Sequence, residues 1–245
     1  MNNSKMTDAI QSLAADFHCH TVASTHAYST ITELAATAAK RGLKAIACTD
    51  HGIGIPDAPH LWHFLNMRIL PAHIEGVRVF RGVEANVMDA QGRLDMPEEA
   101  LNRMEIVVAS MHSGVMPAGE CTQAWLAVAD NPHVHIIGHS GSPQYPYDYE
   151  RVIPVFGKKG KLVEINENTF TVRQDYVANC RRIAEICKKA GVRVIVDSDA
   201  HYHDQLGRGS RSLAMLQEIG FPPSLIVNGS EETLRAYLNE KGLTL

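Results

Sequence analysis

Histidines and carboxylates are concentrated in a few short stretches of the sequence, and the first of these is DFHCHTVASTH at residues 16–26. It contains His18, His20 and His26, three of the chain's 13 histidines. His18 and His20 are two positions apart, and on a strand that spacing points both imidazoles to the same face, with Cys19 facing the other way. Because neutral imidazole is a common ligand of divalent metal ions, this stretch predicts part of a metal site.

The other stretches place the same kinds of residue at the ends of apolar runs. Asp199 and His201 repeat the two-residue spacing of His18 and His20. A carboxylate adds negative charge that stabilises a dication, and its two oxygens allow it to bridge two ions. The metal-capable residues at these positions are His18, His20, His26, His51, Glu84, His112, His139, Asp199 and His201. Because so many ligands exceed what one zinc ion or two four-coordinate zinc ions need, the sequence predicts two or three metal ions.

Short apolar or β-branched runs precede these residues and are typical of strands. The candidate strands are LAADFHCH, LKAIACTDH, VRVFRGVEA, MEIVVASMH, HVHIIGHS, KLVEINEN and VRVIVDSDA. Most are followed by a segment with helical spacing, clearest at 30–41, 118–130, 174–190 and 230–241 and weaker at 148–159 because Pro154 interrupts it. Strands that alternate with helices favour a parallel sheet covered by helices. This repetition predicts an α/β fold, a closed or nearly closed (β/α)7 barrel in which the carboxyl ends of the strands meet on one face.

The chain has no long linker or low-complexity segment, so we expect a single domain at 16–245, preceded by a frayed or weakly helical lead-in at 1–15. Two regions depart from the regular alternation. Residues 52–76 hold extra material between the second and third candidate strands, and we expect a lid over the barrel mouth there. Residues 86–97 are expected to form a small hairpin or excursion.

Composition excludes several other classes of protein. The 245 residues are 45% hydrophobic and 20% charged, which is typical of a globular domain. The net charge of −4 and the absence of a basic run make nucleic acid an unlikely partner. The five cysteines are scattered without a C-x-x-C pair, which argues against a disulfide framework or a thiolate zinc site and indicates a reducing cytoplasm. No stretch is apolar enough for a signal peptide or a membrane span, so we expect no membrane association.

The ordered set DFHCHTVASTH, CTDHG, RGVEAN, SMH, IIGHS and DSDAH resembles the polymerase and histidinol phosphatase (PHP) superfamily. HTVASTHAYST together with DAPHLWHFLNMR resembles most closely its YcdX-like phosphatase branch. The resemblance runs from Asp16 to beyond His201 and implies a distorted seven-stranded, TIM-like (β/α)7 barrel. It also implies three divalent metal ions, commonly zinc with manganese or iron as alternatives, hydrolysis of phosphoesters, and a homo-oligomer, by this resemblance a trimer.

The resemblance also divides the ligands among three ions. By position, His18, His20, Glu84 and Asp199 would hold the first, while Glu84, His112 and His139 would hold the second. His26, His51 and His201 would hold the third. Glu84 would then bridge two ions, the role that its chemistry already suggested.

Three divalent ions held by these residues would leave a formal surplus of about four positive charges, which suits a phosphate group. A water bridging two ions loses its proton near neutral pH and can attack phosphorus. We therefore predict a trinuclear metal-dependent phosphatase of small phosphomonoesters, with the hydroxide held by Glu84, His18, His20 and Asp199.

Further residues are candidates to support this site. Asp50 and Asp197 lie near predicted ligands in the sequence and could each accept the second N–H of a ligand histidine, fixing its tautomer. Arg68, Arg173 and Arg208 lie in loops after strands and are candidates to clamp a phosphate with a forked guanidinium.

Three other functions compete with this prediction. A PHP-type phosphodiesterase or nuclease would use the same chemistry, although the lack of basic surface favours a small substrate. An amidohydrolase on a similar barrel would be expected to use a strand-end lysine, whereas Lys44 and Lys161 lie at strand starts. A non-catalytic metal-bearing module that docks onto a polymerase is disfavoured, because the chain has no additional domain and keeps every expected ligand.

Overall fold

Eight strands form one sheet in the computed structural model, which describes residues 12–245. The strands are β1 (Ala15–Cys19), β2 (Ala45–Cys48), β3 (His73–Ile74), β4 (Val77–Asn86), β5 (Ile106–Ser110), β6 (Ile136–Ile137), β7 (Leu162–Asn166) and β8 (Val194–Asp197). All except β3 are parallel, in the order β1-β2-β4-β5-β6-β7-β8, and β3 pairs antiparallel with β4. These seven parallel strands are the ones that the sequence predicts. Most of the predicted lead-in, residues 1–11, lies outside the described residues.

The two ends of the parallel sheet meet and nearly close the barrel. The backbone N–H of His20 donates to the carbonyl of Ala200 at 2.8 Å, and the N–H of Ala200 donates to the carbonyl of His18 at 3.3 Å. These bonds join the end of β1 to the segment that follows β8. The predicted single-domain, TIM-like (β/α)7 barrel is therefore confirmed, and the closure brings residues from the first and last strands together.

Helices flank the sheet along its whole length. They are α1 (Ile31–Arg41), α2 (Leu61–Asn66), α3 (Glu98–Leu101), α4 (Thr122–Asp130), α5 (Tyr149–Lys158), α6 (Val177–Ala190), α7 (Ser210–Glu218) and α8 (Glu231–Glu240). The helix α1 begins with a capping box, in which the Thr30 side chain accepts from the N–H of Glu33 and the Glu33 carboxylate accepts from the N–H of Thr30. It ends at Gly42, whose φ of 76° is left-handed and suits glycine.

The structure corrects several helix boundaries. The segment predicted at 118–130 is helical only from Thr122, and the one at 174–190 starts with a 3-10 turn before α6. The helix α5 continues through Pro154, which removes one helical hydrogen bond, because Val152, Ile153 and Phe156 bury its apolar face. The pattern did not predict α2, α3, α7 or β3. Of these, α2, α3 and β3 are only two to six residues long.

The barrel interior is filled by an apolar layer at its base. Each of the seven parallel strands contributes to one buried cluster, which includes Phe17, Phe80, Ile106 and Ile195. Leu234, Tyr237 and Leu238 of α8 belong to the same cluster and cover the base. Phe80 and Glu84 are four residues apart on β4, so both face inward. Glu84 therefore lies above the apolar layer, toward the carboxyl ends of the strands.

The two irregular regions add short elements to the barrel. Residues 86–97 form the expected hairpin, with Val87 bridged to Leu94 and the N–H of Met88 donating to the carbonyl of Arg93 at 2.8 Å. Residues 52–76 contain α2, a 3-10 turn and β3. Among the described residues, no helix combines the length and apolar character that a membrane crossing requires.

Candidate metal centre

Glu84 lies at the centre of the predicted ligands and is fully buried. Its Oε1 atom is 2.8 Å from His139 Nε2, 3.3 Å from His18 Nε2 and 3.4 Å from His112 Nε2. Its Oε2 atom is 2.8 Å from His51 Nδ1 and 3.6 Å from His20 Nε2. The two oxygens of one carboxylate thus face two different groups of histidines, which is the geometry that a bridging ligand requires.

Asp199 approaches the same histidines from the end of β8. Its Oδ1 atom is 3.2 Å from His20 Nε2 and 3.6 Å from His18 Nε2. Its Oδ2 atom accepts hydrogen bonds from Arg173 at 2.6 Å and from the Asn166 side chain at 3.2 Å. One oxygen is therefore fixed by the protein, and the other is directed at the histidines.

A third group of histidines lies toward the solvent. The ring centroid of His26 is 4.4 Å from that of His201 and 5.2 Å from that of His51. His26 is 54% exposed, whereas the side chain of His51 is only 5% exposed, so this group lies at the mouth of the centre. Asp57, from the insertion at 52–76, contacts His26 Nδ1 and adds a carboxylate to the group. All nine predicted ligands are therefore brought together.

The donor atoms of this cluster lack the partners that buried polar atoms normally have. His51 Nδ1 lies close to Glu84 Oε2, yet neither atom has hydrogen-bond geometry with any partner in the described part of the chain. The buried atoms in this condition at the centre are His18 Nε2, both ring nitrogens of His20, His51 Nδ1, Glu84 Oε2, His112 Nε2 and His201 Nε2. Burying a polar atom without a partner costs folding free energy, and cations bound between these atoms would give each of them a partner. The residues therefore fit divalent metal ions.

The protonation equilibria favour the metal-binding form at His20, His112 and Glu84, whereas the neighbouring carboxylates, against the effect of burial, raise the pKa of His18 and His51. Burial, together with His51 and His201, lowers the pKa of His20 to about 3. Burial also lowers the pKa of His112 to about 3. Burial alone would raise the pKa of Glu84, but the surrounding histidines, His18 first, hold it well below its usual range. Neutral imidazoles and an ionised carboxylate are the forms that bind metal ions.

Two of the predicted ligands have unusual backbone conformations. Only three described residues other than glycine have a positive φ, and they are Glu75, His139 at 22° and Asp199 at 55°. Such conformations cost free energy and persist where the surrounding structure fixes them, commonly at functional sites. The N–H of His139 donates to Glu164 at 2.6 Å, which helps to hold this conformation.

Glu164 also belongs to the centre, although the sequence pattern does not identify it. It lies in β7, is buried, and its Oε1 atom is 2.6 Å from His18 Nδ1. Donation from Nδ1 fixes the tautomer that leaves Nε2 of His18 directed at Glu84. Asn86 has the same relation to His112, since its Oδ1 atom is 2.6 Å from His112 Nδ1. The sequence does predict that Glu164 in KLVEINEN faces the barrel interior. Nothing in that run, however, indicates that its partner is His18.

The structure does not join the two predicted supporting aspartates to a predicted ligand histidine by a hydrogen bond. Asp50 instead accepts from the backbone and hydroxyl of Thr21 and from Ser24, and it lies 3.0 Å from His63 Nε2. It thereby connects α2 to the loop between β1 and α1 that carries His26. Asp197 accepts from a backbone N–H of β1 at 2.7 Å.

Of the three candidate phosphate clamps, only Arg173 lies at the centre. It is 23% exposed and contributes to a cleft of about 480 Å³ above the histidines. Arg208 is exposed and pairs with Asp204. Arg68 is exposed on the 3-10 turn after α2 and lines other clefts. A position in a loop after a strand was therefore insufficient to place Arg68 and Arg208 at the mouth.

Replacing Glu164 with glutamine is expected to weaken zinc binding by about 10- to 100-fold, because the anionic partner of His18 is lost while the size of the side chain is kept. The affinity can be measured by competition with a chromogenic chelator. Glu167→Gln is the matched control, since buried Glu167 accepts from the N–H groups of Arg211 and Ser212 instead. An equal loss in both variants, or no loss in Glu164→Gln, would contradict the role of Glu164.

Comparisons with known proteins find relatives that match nearly the whole chain. The model of the PHP domain family matches residues 16–168. A probable phosphatase of Acetivibrio thermocellus is 42% identical over 229 residues, which cover 92% of this chain and 95% of that protein. A probable phosphatase of Clostridium novyi is 44% identical over 231 residues, covering 93% of this chain and 95% of the relative.

A solved structure shows the same fold at low sequence identity. It is the histidinol phosphate phosphatase of Lactococcus lactis subsp. lactis, complexed with zinc, L-histidinol and phosphate. It superposes with a TM-score of 0.58 at 17% identity, covering 85% of this chain and 94% of that one. The likeness therefore extends over most of both chains.

Proposed function

The chain belongs to the PHP domain family and is a phosphatase, and we propose that it hydrolyses small phosphomonoesters at a centre of three divalent metal ions. The observation that carries the proposal is the convergence of the nine predicted ligands on one centre, where six of them contribute buried donor atoms without hydrogen-bond partners among the described residues. The two relatives named probable phosphatase, each matched over most of its length, support the reaction.

We assign the ligands to the ions as follows. His18, His20, Glu84 and Asp199 would hold one ion, Glu84, His112 and His139 a second, and His26, His51 and His201 a third. Oε1 of Glu84 lies near His139 and His112 of the second set and near His18 of the first, and Oε2 lies near His20 of the first, which supports the place of Glu84 in both sets. Oε2 also lies 2.8 Å from His51, which brings the third set next to the same carboxylate. Zinc is our first choice because imidazole and carboxylate ligands suit it, with manganese or iron as alternatives.

When bound, the ions would lower the pKa of a coordinated water and neutralise charge on the phosphate oxygens. The residues of the chain orient the substrate and limit the access of water. Arg173 is held by Asp199 with part of its guanidinium facing the cleft, where it can donate to a phosphate oxygen. The apolar layer below Glu84 closes the barrel from beneath, so substrate reaches the centre from the mouth.

The lining of the mouth favours a small substrate over a long polyanion. Arg173 is the single Arg or Lys side chain that lines this cleft in the described part of the chain. A nuclease needs several cations to follow a phosphate backbone. The amidohydrolase alternative is disfavoured because Lys161 is buried below the centre, where its Nζ atom donates to the carbonyls of Asn131 and Val134 at 2.6 and 2.8 Å.

The proposal is tested by the metal content and substrate preference of the purified protein. Metal per chain is measured by elemental analysis, and turnover is compared for p-nitrophenyl phosphate, bis-p-nitrophenyl phosphate and a p-nitroanilide. We expect about three divalent ions per chain and the highest kcat/KM for the monoester. A protein without divalent metal, or one that prefers the diester or the amide, would refute the proposal.

A further inference from the structure

A second cleft, of about 470 Å³, lies outside the metal centre. Five of its lining side chains carry or can carry positive charge, and they come from separate segments of the chain. They are Arg68, Arg81, Arg103, His135 and Lys241. We call this cavity the base cleft.

The base cleft is at the opposite end of the barrel from the metal centre. Glu105 and His135, which line it, directly precede β5 and β6. The predicted metal ligands of the same two units, His112 and His139, follow those strands. Because the strands are parallel, the cleft lies at their amino ends and shares no lining residue with the mouth.

Two of the four Arg and Lys side chains that line the base cleft have a carboxylate partner, and two do not. Arg103 pairs with Glu99 at 2.9 Å, and Glu99 lies outside the lining. Glu105 is the one carboxylate in its described lining, and it is already bonded to Arg78 at 2.5 Å and Arg81 at 3.0 Å. Arg68 and Lys241 form no ion pair with any described carboxylate, and the Lys241 amine donates to a backbone carbonyl at 3.3 Å. A chain with a net charge of −4 therefore concentrates cations in one concavity.

Titratable groups buried beside the cleft respond to this charge. Burial, and then Lys241 and Lys161, lower the pKa of His135 to about 4. Burial, and then Lys241, lower the pKa of Lys161 to about 8. Added positive charge is thus unfavourable here, and a bound anion would relieve the repulsion.

We propose that the base cleft binds a small phosphate-bearing molecule. Guanidinium groups match phosphate oxygens with forked hydrogen bonds, and the Lys241 amine adds a point charge. Phe64, Leu65 and Leu243 give the cleft an apolar wall for the organic part of the ligand. A solvated charged face would spread its cations over a convex surface, whereas these converge on a cavity of the size that small ligands occupy.

The experiment is a calorimetric titration of the metal-loaded full chain with inorganic phosphate. We expect two binding events in the wild type, one at the metal centre and one at the base cleft. Arg68→Ala/Lys241→Ala is expected to weaken one of them by about tenfold or more. Arg208→Ala and Lys159→Ala are matched controls, because each removes an exposed cation that pairs with an aspartate elsewhere.

Two outcomes would overturn the proposal, namely an unchanged isotherm in the double variant or the same loss in the controls. Arg68→Ala alone, at an exposed side chain, provides the test if the double variant does not fold. Phenylphosphonate, which phosphatases cannot hydrolyse at the C–P bond, separates an organic ligand from free phosphate. It binds the base cleft more tightly than phosphate if the apolar wall contributes, and equal binding would identify free phosphate as the ligand.

Discussion

Replacing Glu84 with glutamine is expected to lower kcat/KM for a phosphomonoester by about 10³-fold or more. Loss of metal-dependent stabilisation of the transition state costs several kcal/mol, and each 1.4 kcal/mol is about tenfold in rate. Glu84 has this effect because both of its oxygens face histidines, with His139 and His51 each 2.8 Å away. A neutral amide keeps the shape but presents one acceptor and one donor, so it cannot bridge two cations.

The same variant is expected to bind fewer metal ions, which elemental analysis measures beside the kinetics. Glu167→Gln again serves as the control, because it removes a buried negative charge that caps α7 rather than one in the centre. Glu84→Gln protein that keeps its full metal content and hydrolyses the monoester at the wild-type rate would rule out Glu84 as the bridging ligand.

The strands, and the convergence of the predicted ligands at their ends, could be predicted because the same apolar runs indicate both. Runs such as MEIVVASMH are short, β-branched and buried on both faces, and the residue that chemistry needs comes where the run ends. The partners of those ligands could not be predicted in the same way. Glu164 bonds His18 across 146 positions, and that contact exists because barrel closure brings β7 and β1 to one interior.

The course of the insertion at 52–76 also could not be predicted from the sequence. Residues 52–76 were expected to form a lid over the mouth, and Asp57 does line that cleft. The segment then continues along the barrel wall, so that His63 reaches Asp50 while Arg68 lines the base cleft. Sequence spacing does not predict that course, because α2 is short and its direction is set by the packing of Phe64 and Met67 in the core.

Replacing His26 with alanine is expected to remove about one metal ion per chain and to lower kcat/KM by about 10²-fold, the equivalent of about 3 kcal/mol. His26 lies near His51 and His201 at the mouth, whereas the contacts of Glu84 with His18 and His139 do not involve it. The other two ions should therefore stay bound. Elemental analysis and steady-state kinetics on the same preparation measure both effects.

His73→Ala is the matched control for this variant, because His73 is an exposed histidine on β3 outside the centre. Full metal content in His26→Ala protein would remove His26 from the ligand set, and loss of every ion would mean that the three sites form one cooperative unit. Selective loss of one ion would instead show that His26 binds a different ion from His18 and His20. The adjacent histidines of DFHCHTVASTH would then serve different ions, because His18 lies on β1 and His20 directly follows it, whereas His26 lies on the loop that Asp50 holds over the mouth.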